Sequence, residues 1–391
     1  MVRWNKINCY LCFKIIENKT RLVLEKILTN KENQHYVPKF YLRYFSYQNN
    51  KKQIGVYNQI NKLFIPTAKL KTQASKKYFY GKDGIIEDWL CSVESIISKS
   101  INKMISSEEL PALMTDSHVH LLLFLILMDV RNPNKVNQFL KGQQLIKDRF
   151  ISLNPKNQEL EIVRAIEEIK NNDDETIKML VLNAIGIIPY CMDLKIKLIK
   201  NTSGLPFITS DNPLIKYNQF LETRNWNFGA HNGYGTIGAQ MFLPLNEKYM
   251  LILFDPDIYK VGNKKEKTVE INDINSISQL NILQYLNCTE TLFFNHKTNK
   301  INIENLIKKT YKYKKANETY IKPFKVVDEF GGIKENQEVL KIGSTDLKIK
   351  LSLQKFKYNS KASGVKLDNC PAQFRPKAEE VYNYYEKNKK N

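Results

Sequence analysis

Apolar residues at i, i+3, i+4, i+7 and i+8 mark the first well-defined element of the chain. Val37, Phe40, Tyr41, Tyr44 and Phe45 make one stripe in "NQHYVPKFYLRYFS", which predicts an amphipathic helix. Pro38 suits its first position, where a missing N–H costs nothing. Residues 1–30 also read as helical, ending at Asn30. Alternation in "KKQIGVYNQINKLFIPTAKL" predicts a β-hairpin, with Asn58–Asn61 as its turn. Ile86, Leu90, Val93, Ile96, Ile97 and Ile101 return the pattern to near-helical spacing over 85–105. Val119–Val130 is almost wholly apolar. It is too short to span a bilayer and is flanked by His118, Asp129 and Arg131, which predicts a buried helix. Thr115, Asp116 or Ser117 can cap it, and "RNPN" ends it. Further helices are predicted over 135–150 and 158–182, with "NNDDE" (171–175) as a loop or a helix start between two of them.

From Leu194 the pattern changes to short strands. "KIKLIKNT", "PFITSDNPLI", "MFLPL" and "YMLILFDP" are read this way, the last two joined by an Asn-Glu-Lys turn. A Gly/Asn-rich segment, "RNWNFGAHNGYGTIGAQ", separates the second pair from the first. "INSISQLNILQYLNCTETLFF" predicts a helix running into a strand. Beyond residue 300, "LKIKLSLQKFKY" is strand-like and "PKAEEVYNYYEKNKK" predicts a final helix. The expected fold is α+β, with a mainly helical N-terminal half, a β-rich second half and a basic C-terminal extension. The expected units are 1–30, a core over 31–300, and a C-terminal extension or small domain over 301–391.

The 391 residues are 42% hydrophobic and 11% aromatic, which excludes disorder of the whole chain. The net charge is +20. Residues 301–391 hold 20 Lys plus Arg against 11 Asp plus Glu, hence +9, and "KKTYKYKKANETY" interleaves lysine with tyrosine. Such a surplus favours anionic partners, RNA or DNA among them. Lysine, asparagine and isoleucine are all abundant, however, as an AT-rich genome would produce, so composition alone explains the charge equally well.

Six scattered cysteines in a chain of this length imply a reducing, cytoplasmic setting. Cys9 and Cys12 form a CxxC without a second ligand pair nearby, so buried thiols explain them better than zinc. Lys6, Lys14 and Glu17 interrupt any signal-peptide core, and no membrane span is expected.

Several blocks resemble the domain-of-unknown-function 4238 family, a mostly bacterial group. "HYVPKFYLRYFS" is similar to its His-x-x-Pro, Leu-Arg-x-Phe signature, at His35, Pro38, Leu42, Arg43 and Phe45. "YFYGKDGIIEDWLCSVES" resembles its Glu-x-x-Leu-x-x-x-Glu helix, at Glu87, Leu90 and Glu94. "LMDVRNP" resembles its Arg-x-Pro helix end, at Arg131 and Pro133. "PFITSDNPLI" resembles its Thr-Ser-Asp-Asn-Pro block, Thr209 to Pro213. "FLPLNEKYMLIL" and "LNILQYLNCTETLFF", the latter with Asn281, follow in the same order. The resemblance spans about residues 31–300. It implies positions, not a reaction.

Those positions define the candidate site. His35 is either a general acid/base or a partner for exposed N–H groups at a helix start. Arg43 and Lys39 lie opposite the apolar stripe, as phosphate ligands or as a solvated basic edge. Arg131 either joins Arg43 on an anion or serves the C-terminal dipole of its helix. Asp211 is a catalytic or orienting carboxylate or closes an Asx turn, with Thr209, Ser210, Asn212 and Asn281 supporting it. Glu87 and Glu94 share a helix face and, with Asp211, could hold a divalent cation; a solvated charged face is the alternative. There is no GxGxxG, P-loop or HExxH. Three functions stay open: phosphodiester cleavage in a toxin or antiviral defence setting, nucleic-acid binding without catalysis, and small-molecule chemistry on an anionic substrate. The first requires His35, Arg43, Arg131 and Asp211 to converge.

Overall fold

The computed structural model describes residues 32–389, except 171–172, 317–318, 328–331 and 369–371. The helix expected over 1–30, the Cys9–Cys12 pair, Cys370 and the start of "NNDDE" lie outside the described residues.

The chain opens with β1 (Asn33–His35) and a four-residue helix, α1 (Lys39–Leu42). A hairpin follows, β2 (Gln53–Asn58) and β3 (Leu63–Lys69), then β4 (Ser75–Lys77). Five helices come next: α2 (Ile85–Ser107), α3 (Asp116–Val130), α4 (Pro133–Leu153), α5 (Glu161–Lys170) and α6 (Asp173–Ile187). The second half continues with β5 (Lys195–Asn201), β6 (Thr209–Ser210), β7 (Ile215–Tyr217), α7 (Gln219–Thr223), β8 (Gln240–Pro244), β9 (Tyr249–Phe254), β10 (Tyr259–Val261) and β11 (Thr268–Ile271). Then come α8 (Ile274–Asn287), β12 (Thr291–Phe294), α9 (Lys300–Thr310), β13 (Thr319–Val327), β14 (Ile333–Ser344), β15 (Phe356–Tyr358) and α10 (Pro376–Lys389). The fold is α+β, helical over 85–187 and richer in strands thereafter.

A five-stranded sheet, ordered β11-β5-β9-β8-β7, divides the molecule. Its β11–β5 pair is parallel and the others antiparallel. Alternation along β9 shows why its sequence is one continuous apolar run. Tyr249, Leu251 and Leu253 join a core built with α2, α3 and α6, while Met250, Ile252 and Phe254 join a second core with α8. Helices on one side and α8 with α9 on the other therefore cover both faces. A second, antiparallel sheet, β3-β2-β12-β6, brings the opening hairpin beside the strands of the second half.

Local signals set the helix ends. Thr115 caps α3 by accepting from the His118 N–H. Asn132 caps α4, with Pro133 at its first turn. Pro38 is the N-cap of α1 rather than its first residue, and the helix tightens to 3-10 geometry from Arg43. No helix among the described residues is long and apolar enough to cross a membrane.

The C-terminal segment is built into both cores. Val381 and Tyr385 of α10 enter the first, and Ile303, Leu306, Leu347, Ile349, Leu351 and Leu353 enter the second. The strand expected over 347–358 is confined to β15. Residues 347–353 keep the alternation, burying every second residue, yet no ladder pairs them. Side chains take the backbone bonds instead: the N–H groups of Lys350, Leu351, Ser352 and Gln354 reach Glu222, Tyr217, Gln279 and Ser276.

Candidate functional site

The opening segment and "TSDNP" do meet, but through residues other than the expected pair. The Tyr41 hydroxyl donates to the Pro244 carbonyl at 2.6 Å and shares a 2.7 Å bond with Thr209 Oγ1. Both tyrosine and threonine are fully buried.

Asp211 is buried and its carboxylate is committed. Oδ1 accepts from Thr289 N at 2.8 Å, and Oδ2 from Glu290 N at 2.7 Å and Thr291 N at 3.0 Å. Burial pushes its pKa up against the pull of those three donors. The expected Asx turn is absent here. Ser210 Oγ accepts from Asn212 N and closes the turn, while Asp211 reaches the loop before β12. The rest of the block is stitched to α8. Gln284 Nε2 donates to Ser210 Oγ at 2.5 Å, Asn287 Nδ2 to the Asn212 carbonyl at 2.8 Å, and Asn281 Nδ2 to the Pro206 carbonyl at 2.9 Å.

The end of α3 sends three neighbours into three polar networks. Asn132 Nδ2 donates to the Asp211 carbonyl at 2.6 Å. Arg131, 1% exposed, pairs with Glu94 at 2.8 Å, and Glu94 with Glu87 raises its pKa against the effect of burial. Its charge also acts on the buried Tyr80, whose hydroxyl donates to the His35 carbonyl at 3.2 Å. Glu94 is thus an ion-pair partner rather than part of a free solvated face. Asp129, 3% exposed, contacts Lys216 at 2.7 Å and Lys135 at 3.2 Å, and accepts from the Tyr234 hydroxyl at 2.6 Å. Burial would raise its pKa, but the two ammonium groups hold it well below the usual carboxylate range.

His35 and Arg131 therefore share one network, and Asp211 adjoins it through Asn132. Lys39 at the start of α1 and Arg43 just after its end are exposed. Among the described residues, no three His, Cys, Asp or Glu side chains group as a cation site. Glu87 and Glu94 belong to the Arg131 network and Asp211 to the Asn132 network.

His35 is buried, with its Nε2 3.2 Å from the Lys71 carbonyl. Burial and then Lys39 lower its pKa to about 4, and burial alone does the same to His118. Both imidazoles are neutral at pH 7. A histidine harder to protonate when folded leaves the extra proton to the unfolded chain. Stability is then full above pH 6.5 and falls as pH drops toward 4, by up to about 1.4 kcal/mol per pH unit for each histidine. Unfolding midpoints at pH 7, 5.5 and 4.5 should show this loss, and His35→Gln should remove about half of it, leaving the part due to His118. An unchanged slope in the variant would remove His35 from the account.

The accessible candidate site lies elsewhere, along α8 and the end of α9. A groove of about 520 Å3 is lined by Lys308, Lys309, Lys312, Tyr311 and Tyr313 together with Ser278 and Gln279. Tyr311 is 81% exposed. Lys309 Nζ donates to Ser278 Oγ at 3.0 Å and joins the two helices. Lys312 sits 5.1 Å from the centre of the Tyr313 ring, and Lys315 4.9 Å from that of Tyr285. No carboxylate lines the groove. The sequence signal was the interleaved "KKTYKYKK"; Ser278 and Gln279, on a helix some 30 residues earlier, gave none. Asp129, Lys216 and Tyr234 gave no signal either, because only packing brings the carboxylate, the ammonium and the phenol together.

Fold and geometry together define an α+β protein with buried polar joints and an accessible lysine–tyrosine groove. The chain belongs to the family described as protein of unknown function (DUF4238), whose model matches residues 33–298. No curated protein and no solved structure matches it.

Proposed function

We propose that this protein binds single-stranded RNA or DNA, without cutting it at the motif residues, along the groove between α8 and α9. The observation that carries the reading is that lysines and an exposed tyrosine line one open groove that contains no carboxylate. Lysines neutralise successive phosphates, and a tyrosine offers its face to a base whatever the sequence. Cleavage by His35 and Asp211 has less support. The imidazole is buried and neutral, and the carboxylate already accepts three backbone N–H groups.

Fluorescence anisotropy with a labelled single-stranded oligonucleotide tests the reading. Three contacting lysines predict that log K falls with log salt with a slope of about −2. Lys312→Ala should reduce that slope by about 0.7. Tyr311→Ala should weaken binding by about 1–3 kcal/mol and leave the slope unchanged. Binding indifferent to salt, or no binding at low salt, would refute the proposal.

A further inference from the structure

The groove has a deeper neighbour. A pocket of about 210 Å3 opens between α8 and α9 and shares Asn275, Ser278 and Lys309 with the groove. Buried Ile303 and Leu306 supply an apolar wall, and the amides of Asn275 and Asn305 stand at exposed positions of the lining. Thr298 belongs to the same lining. It is 5% exposed, and its Oγ1 has no hydrogen-bond partner. A buried hydroxyl left unpaired destabilises a fold, and native proteins hold few of them.

Resting on the strand-binding reading above, we infer that this pocket receives one nucleobase unstacked from a strand lying in the groove. A base matches the lining in kind: its faces suit Ile303 and Leu306, while its edge suits the amides of Asn275 and Asn305. Sequence-specific recognition of single strands works by splaying bases out in this way. Side-chain amides pair well with adenine, which makes it the first base to test. Lys309 sits in both linings, so a phosphate held in the groove lies beside the pocket mouth. The pocket lining contains no carboxylate to repel that phosphate.

The probes are a labelled deoxyadenosine hexamer and six versions, each lacking one base. Tyr311→Ala protein, which lacks the exposed ring that stacks a base in the groove, should still bind at least one abasic version about tenfold more weakly than the intact strand. In that background Thr298→Val and Asn305→Leu should shrink this discrimination and leave the salt slope unchanged. Lys312→Ala should do the reverse. Thr298→Val should also raise Tm, because it replaces the unpaired hydroxyl with a methyl group of the same shape. Asn305 is exposed, so its leucine variant tests the pocket without burdening the fold. Equal binding of all seven strands, or discrimination that survives both pocket variants, would overturn the inference while strand binding stood. If the wild type bound none of the strands, the strand-binding reading would fall and the pocket inference with it.

Discussion

Asp211→Ala is expected to cost about 3–5 kcal/mol of folding stability, the largest effect of any single change in the buried motif residues. The substitution leaves the N–H groups of Thr289, Glu290 and Thr291 without their acceptor, in a place where the carboxylate is 4% exposed. Each stranded donor costs about 1–3 kcal/mol, partly offset because the buried charge is removed with it. Asp211→Asn should also destabilise, since an amide NH2 would face backbone donors on one side. Urea unfolding followed by tryptophan fluorescence reads the loss as a shift in midpoint at constant m-value. A shift worth less than about 1 kcal/mol would contradict the clamp and reopen a chemical role for the carboxylate.

Arg375→Ala should cost about as much, roughly 3–5 kcal/mol, although Arg375 lies beyond the span matched by the family model. Its guanidinium grips Asp193 through two bonds of 2.8 and 2.9 Å and donates to the carbonyls of Tyr190, Tyr234 and Thr236. Both side chains are 3% exposed. Truncation leaves a buried carboxylate without its cation and three carbonyls without a donor. Arg375→Lys should rescue only part of the loss, because a single ammonium cannot reproduce the planar fork. Calorimetry distinguishes the outcomes: an unchanged Tm in Arg375→Ala would show that the C-terminal segment is an appendage rather than part of the fold.

Periodicity was a good guide wherever one element met one core. It gave α2, α3, the β2–β3 hairpin and the β8–β9 pair with small errors at the ends, because their apolar spacing, caps and turn residues agree. It failed at residues 347–353. Their alternation reports burial of every second side chain, and alternation cannot tell a paired strand from a strap held by Glu222, Tyr217, Gln279 and Ser276. The fold brings the first motif block and the Thr-Ser-Asp-Asn-Pro block together. Spacing could not say that Tyr41 and Asn132, rather than His35 and Arg43, make the contacts to Thr209 and Asp211. A polar residue bonded to a distant carbonyl has the same one-letter code as one aimed at a substrate. The tyrosine–lysine run was legible as a basic aromatic stretch, but its groove needs α8 as the opposite wall.

If the family motifs hold the fold together and the proposed α8–α9 groove binds the strand, the two sets of residues separate in one titration: oligonucleotide affinity across a series of salt concentrations for wild type, the double variant Lys308→Ala/Lys312→Ala, and His35→Ala/Arg43→Ala. Comparison at a temperature where all three are folded removes stability from the reading. The groove variant should lose at least about tenfold in affinity and about 1.4 of the salt slope, with the motif variant close to wild type. Loss of binding in the motif variant, with the groove variant intact, would instead put the strand at His35 and Arg43.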